Sequence, residues 1–360
     1  LIIGNTIHHR ASITAMDTKS RSLDFVERYH VAQHRAGSLP YITIIGLAIP
    51  SDANQLFYYV GKNVYGLMQK HPVLLAAIDD TDSRRPRWIP NNIDPPFDKG
   101  PHGSHPIIDS NICPVTCASQ VAEVEDGKAQ GFDLAHGPLW RVGFYQLRQE
   151  HPVTYFVALT IHHVVTDRMG ALNIFEELMR QSGLPTGVIP PKQPLPPKAE
   201  NTMRIQPSAP MTIKRGARWI LNHKSSQKVT HGIGVKTMWP LPSRLKPSPG
   251  KPKVRHVQLD FRRDHSRVVE RLEALGSQIG SVHSILHTAA VVALAAAASD
   301  SLFDTFSTET PVSLRSEKRK HPRIGGNYTG LIERSIPVSS LSSHTVASFT
   351  KKFNDYIHSS

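Results

Sequence analysis

The sequence predicts an α/β protein built in two parts, and three observations carry that expectation. Strand-like segments alternate with segments of helical spacing on both sides of the chain's middle, the pattern of packed sheet and helix layers. The 360 residues are 39% hydrophobic and 20% charged, a composition that folds around ordinary cores and is long enough for two domains. Between the two parts the composition breaks, because residues 181–253 hold 13 of the 28 prolines. Proline removes backbone donors and fixes φ, so regular sheet cannot run through such a stretch. Residues 1–180 read as one lobe, 181–253 as a basic connector, and 254–360 as belonging to a second lobe.

In chain order, residues 54–70 read as a helix, followed by an extended segment over 71–79. Residues 138–147 and 153–161 read as two strands of a hairpin. The second, VTYFVALTI, is apolar at nearly every position, which marks a strand buried on both faces. A polar loop follows, and then a helix over 171–180 with Leu172, Phe175 and Leu178 on one face. Within the connector only 211–224 has helical spacing, through Ile213, Ala217, Ile220 and Leu221. Beyond it come a strand over 254–261, an amphipathic helix over 263–275, a mostly buried helix over 282–298 and a strand over 305–314.

The net charge of +13 has one location. Residues 201–263 contain 14 Lys and Arg against one acid, Asp260, leaving 28 basic and 28 acidic residues elsewhere. A solvated linker is the first reading of such a segment. Its functional alternatives are attraction of a polyanionic donor, or peripheral contact of 211–224 with an anionic membrane. Without a zinc-finger, RRM or helix-turn-helix signature, no specific nucleic acid is expected. Two cysteines exclude a disulfide framework and point to a reducing, cytoplasmic compartment. His102, His105, Cys113 and Cys117 have spacings that zinc sites use, but Pro114 splits the cysteine pair and the outer spacing fits no motif, so no metal is expected. The most apolar run, 288–298, is too short to span a bilayer.

The chemistry centres on His162-His163-Val164-Val165-Thr166-Asp167-Arg168-Met169-Gly170. A His-x-x-x-Asp spacing alone says little, because 20 His and 17 Asp give roughly one match by chance and the chain contains three. Only the His163–Asp167 match follows a doubled His, leaves a buried strand and precedes a helix. Strand ends opening into loops are where α/β proteins place ligands.

HHVVTDRMG resembles the His-His-x-x-x-Asp-Gly motif of the chloramphenicol-acetyltransferase-like superfamily. That group includes BAHD acyltransferases, alcohol and trichothecene-type O-acetyltransferases, and condensation domains of nonribosomal peptide synthesis. GFDLAHGPLWRVGFY (131–145), KHPVLLAAI (70–78), SVHSILHTAAVVALA (281–295) and TPVSLRSEKRKHPRIGGNYTG (310–330) resemble further stretches of the family in the right order. The resemblance implies a two-lobe fold of mixed sheets flanked by helices. It also implies an incomplete second lobe, because the family's later Asp-Phe-Gly stretch is not found.

In activity, it implies a CoA-dependent O-acyltransferase, a monomer without bound cofactor that moves an acyl group, first of all acetyl, from acyl-CoA as co-substrate to a hydroxyl of a small molecule, with an amine as the other possible acceptor. Peptide condensation and a non-catalytic binding module are the alternatives. His163 is then the general base, since an imidazole titrates near working pH. His162 supports the loop, and Asp167 pairs with Arg315 to fix it. Arg168, standing where the family has Gly, together with Gly170 and Asn327, are candidate substrate-channel residues. Gly325 and Gly326 mark a tight turn.

Overall fold

The computed structural model describes residues 20–37, 40–79, 85–90, 107–148, 153–180, 195–203, 237–239, 266–297, 303–315, 323–337 and 346–359. They fall into two compact units. The first holds the described residues up to 203 together with 323–328; the second holds 237–239, 266–297, 303–315, 329–337 and 346–359.

The first unit begins with a short strand, β1 (Arg21–Ser22), and a helix, α1 (Phe25–Arg35). Next come β2 (Tyr41–Ala48), α2 (Ala53–Lys70), β3 (Ala76–Asp79), β4 (Arg87–Pro90), β5 (Ile108–Val115) and α3 (Ala118–Ala129). It closes with β6 (Trp140–Leu147), β7 (Tyr155–His162), α4 (Arg168–Leu178) and α5 (Ala199–Met203). A four-stranded sheet has the order β2-β7-β6-β5, and a three-stranded one β1-β4-β3. β7 pairs antiparallel with both β2 and β6, and β5 lies parallel to β6.

The central position of β7 explains its composition. Tyr155, Val157, Leu159 and Ile161 enter the main core with α2 and α4, while Ala158 packs on the other face with Val121 of α3. A period-2 strand covered on both sides must be apolar on both sides. On the β2 neighbour, a Cβ at Gly46 would lie 2.5 Å from the Phe175 ring, so glycine there lets α4 seat on the sheet. The hairpin expected over 138–161 is present as β6 and β7. The extended reading of 71–79 needs correction. Residues Pro72–Leu75 form a 3₁₀ turn with Pro at its start, and only Ala76–Asp79 is strand. Pro ends the preceding helix but fits the first turn of the next.

α1 is fixed by a buried polar network. Asp24 caps the helix by accepting from the Glu27 N–H, and Glu27 accepts from the Asp24 N–H, which forms a reciprocal capping box. Glu27, 1% exposed, also receives Arg21 through two nitrogens at 2.8 and 2.7 Å and the Trp88 indole N–H at 3.1 Å. The second Asp24 oxygen accepts from the Ala199 N–H at 3.1 Å.

The second unit contains β8 (Thr237–Trp239), α6 (Ser266–Ile279), α7 (Val282–Ala297), β9 (Phe303–Ser313), β10 (Thr329–Pro337) and α8 (Val346–Ser359). Its sheet has the order β10-β9-β8, with β9 and β10 antiparallel. Val291, Phe306, Ile336 and Phe349 form its core. Among the described residues no single helix is long and apolar enough to cross a membrane. The expected helix at 211–224 and strand at 254–261, like most of the basic connector, lie outside the described residues.

Removing the Glu27 carboxylate leaves Arg21 without its buried partner. Glu27→Ala is expected to cost about 3–5 kcal/mol in denaturant unfolding. A loss below about 1 kcal/mol would show that the network does not hold α1.

Candidate functional site

β7 delivers the doubled histidine. Tyr41 at the start of β2 pairs with His162, the last residue of β7, and the chain then turns through 163–165 into α4. The turn is tied from several sides. The His163 N–H donates to the Pro40 carbonyl at 2.7 Å and the Val165 N–H to the His162 carbonyl at 3.0 Å. The Gly326 N–H donates to the Val165 carbonyl at 3.1 Å, and Thr166 and Gly326 form a parallel bridge.

Asp167 is the residue that joins these elements. It is buried and caps α4, accepting the Gly170 N–H on Oδ1 at 2.9 Å. Its Oδ2 accepts the Tyr328 N–H at 2.8 Å. One carboxylate thus fastens the loop, the start of α4 and the segment 323–328. Asn327, 1% exposed, donates its amide to the His163 carbonyl at 2.7 Å. Gly325 and Gly326 deliver that segment with φ of +82° and +73°, a conformation that favours glycine. The expected tight turn is there. Asn327, expected along a substrate channel, is buried and bonded to the loop backbone, so it braces the loop at His163.

Gly170 is likewise buried, and its N–H belongs to the Asp167 cap. Arg168 is exposed at the first position of α4. Arg315 lies in the second unit, just past β9, where its N–H donates to Ser313 Oγ at 3.3 Å. Its pairing with Asp167 stays an expectation of the resemblance.

Two site residues went unread in the sequence: His30 and His34, one turn apart on α1. His30 stacks on His163 with ring centroids 4.6 Å apart and planes 13° from parallel. His34 Nδ1 lies 3.3 Å from His162 Nε2. The tautomers follow from the bonds. The Val164 N–H donates to His162 Nδ1 at 3.1 Å, so a neutral His162 carries its proton on Nε2 and gives it to His34 Nδ1. Phe132 closes the cluster with its ring edge-on to His162, centroids 6.2 Å apart.

Burial shifts all four rings toward the neutral form. Burial holds His162 well below the usual imidazole range, and the neighbouring His34, His30 and His163 add repulsion. His163 is pushed down to about 4, first by burial and then by His30, against the opposing pull of the Asp167 charge. His30 and His34 are lowered by burial, while Glu27 opposes the shift at His30 and Asp133 at His34. His163 Nδ1 is buried without a hydrogen-bond partner. Among the described residues no group of three or more His, Cys, Asp or Glu could hold a metal ion. Cys113 and Cys117 are free thiols, and His102 and His105 lie outside the described residues.

Two outcomes follow. Asp167→Ala strips two buried N–H groups of their acceptor and is expected to lower stability by about 2–4 kcal/mol in denaturant unfolding. Loss of less than about 0.5 kcal/mol would mean that the carboxylate does not fasten the loop. Because the histidines' folded pKa values lie below 6.5, their contribution to stability is whole above that pH and is lost as pH falls toward 4. Thermal melts of the chain and of His162→Phe across that window test the sign, since Asp24, raised to about 6 mainly by burial, acts the opposite way in both: the unaltered chain should lose more of its midpoint on acidification than the variant, and an equal or smaller loss contradicts it.

No protein-family model matches the sequence, and no curated protein is similar to it by sequence. Solved structures are similar in fold. The first condensation domain of the CDA synthetase superposes with a TM-score of 0.59 at 13% identity, covering 94% of this chain and 73% of that one. The condensation domain of the Monacolin K polyketide synthase MokA gives a TM-score of 0.53 at 13% identity, covering 95% and 72%. The epimerization domain from the third module of tyrocidine synthetase B gives 0.52 at 12% identity, covering 95% and 74%. The chain therefore shares the α/β fold of these condensation and epimerization domains.

Proposed function

We propose that this chain transfers an acyl group from a thioester to an amine, the amide-forming chemistry of a condensation domain. The observation that carries the reading is the state of His163. It is a neutral imidazole at a strand end, held by backbone bonds to Pro40 and Asn327, with Nδ1 sequestered. With Nδ1 buried, we assign proton exchange to Nε2.

The chemistry follows from that nitrogen. As the amine attacks the thioester carbonyl, its nitrogen becomes positively charged and strongly acidic. His163 Nε2 takes that proton while the C–N bond forms. The tetrahedral centre then collapses, the C–S bond breaks, and the imidazolium returns the proton to the departing thiolate. Amide and free thiol are the products, and the imidazole is regenerated.

A base whose pKa lies at about 4 suits this sequence better than deprotonation of an alcohol. It needs only to collect an acidic proton, and its conjugate acid is a strong donor to the leaving sulfur. The structural neighbours support the same direction, because those named above are domains of peptide and polyketide synthetases. A pantetheine thioester on a carrier protein accordingly fits the donor better than free acetyl-CoA. The same fold in an epimerization domain cautions that fold alone does not choose the reaction.

The test uses an acyl-pantetheine thioester, free or carrier-borne, with a panel of amino acids and amines, and reads thiol release. His163→Ala is expected to reduce turnover by about 10²–10⁴-fold. Undiminished turnover in that variant contradicts the assignment. Expressed per concentration of free, unprotonated amine, the kcat/KM profile should rise with pH through about 4 and be level across neutral pH, because the base must be unprotonated. An ascending limb near 6.5 would place the working base elsewhere.

A further inference from the structure

α1 meets the motif loop through two imidazole pairs in register. His30 and His34 share one face of the helix, and His162 and His163 are consecutive at the end of β7. One pair is a hydrogen bond, His162 Nε2 to His34 Nδ1 at 3.3 Å. The other is a face-to-face stack, His30 on His163, with centroids 4.6 Å apart. The covering ring is itself held. His30 Nδ1 lies 3.0 Å from Gln33 Oε1, Gln33 donates to the Tyr29 hydroxyl at 3.1 Å, and the Tyr29 ring tilts onto His30 at 5.5 Å. Beneath them the Asp24–Glu27–Arg21 network pins the helix start.

A stack of this kind does two things to the lower ring. It removes water from one face, and it limits rotation about χ2, so the lone pair keeps one direction. Productive geometry needs both, because a displacement of about 1 Å at a reacting atom costs on the order of a hundredfold in rate. We propose that His30 is a positioning residue for His163: its ring covers one face of the imidazole, keeps that face dry and fixes the plane in which Nε2 meets the acceptor. His30 acts through His163 and not on the substrate. The role rests on His163 being the base, but its test does not.

The charged groups around the pair agree with a neutral stack. Asp167 faces His163 and favours its cation, and Glu27 does the same for His30. Burial outweighs both, and each ring would repel a charged partner across the stack.

The experiment follows the imidazoles of the full chain, labelled at histidine, by NMR through a pH titration, with His163 assigned from the spectrum of His163→Gln. In the unaltered chain His163 is expected to stay neutral down to about 4. His30→Ala opens the face to water and should move the midpoint at least tenfold in proton concentration toward the ordinary 6.5. His30→Phe restores a flat cover and should return it to the low value. The pH limb of thiol release should move with the midpoint. His162, buried for its own reasons, reports in the same spectra that the unit is folded. If alanine costs the fold, His30→Gln provides the same wet opening at similar volume. An unmoved His163 midpoint in the opened variants, or a phenylalanine variant that behaves like them, overturns the proposal. Persistent activity in His163→Ala would instead refute the base and leave the His30 titration to be decided separately.

Discussion

The site depends on one buried carboxylate. Asp167 accepts the Gly170 N–H with one oxygen and the Tyr328 N–H with the other, and so binds a strand end, a helix start and a segment some 160 residues later in the chain. Without it the loop carrying His163 would lose the side-chain cap on α4 and the bond to Tyr328. Asn327 and the Gly326 N–H extend the same attachment to the His163 and Val165 carbonyls. Each bond is modest alone, but buried donors leave no solvated alternative, so the set holds a single arrangement.

A second constraint comes from the opposite side. α1 brings two imidazoles onto the two of the loop, and burial, which is complete only at His162, lowers the pKa of each ring. The Asp24–Glu27 box and Arg21 secure α1, so the polar network beneath the helix reaches His163 through the His30 stack.

Much of this was legible in the sequence. β7 declared itself by apolar residues at nearly every position, and a strand between β2 and β6, covered on both faces, requires that. The doubled histidine and Asp167 were picked out because they sit between that strand and a helix. Gly325 and Gly326 marked a turn and proved to have positive φ. Other features were hidden for physical reasons. The Val-Leu-Leu run after Pro72 has no periodicity that separates a 3₁₀ turn from a strand. His30 and His34 contact residues more than 120 positions away, and no local pattern shows such a pairing. Their helix did carry a signal, the Asp24-x-x-Glu27 capping box ahead of an i, i+4 histidine pair. Asn327 was placed along a channel by the resemblance of its Gly-Gly-Asn stretch alone, and its bond to the His163 carbonyl, 164 residues away, leaves no local pattern.

The fold alone permits several reactions, and the account turns on the weak basicity of a buried, stacked imidazole. Such a base removes the acidic proton of an attacking amine readily and that of an alcohol poorly. The most direct measurement is the partition of one acyl-pantetheine thioester between an amine and the alcohol of the same carbon skeleton at equal concentration and neutral pH. The account predicts amide as the dominant product, formed in a His163-dependent way. Ester in equal or greater amount would contradict it, as would amide that forms as fast without His163.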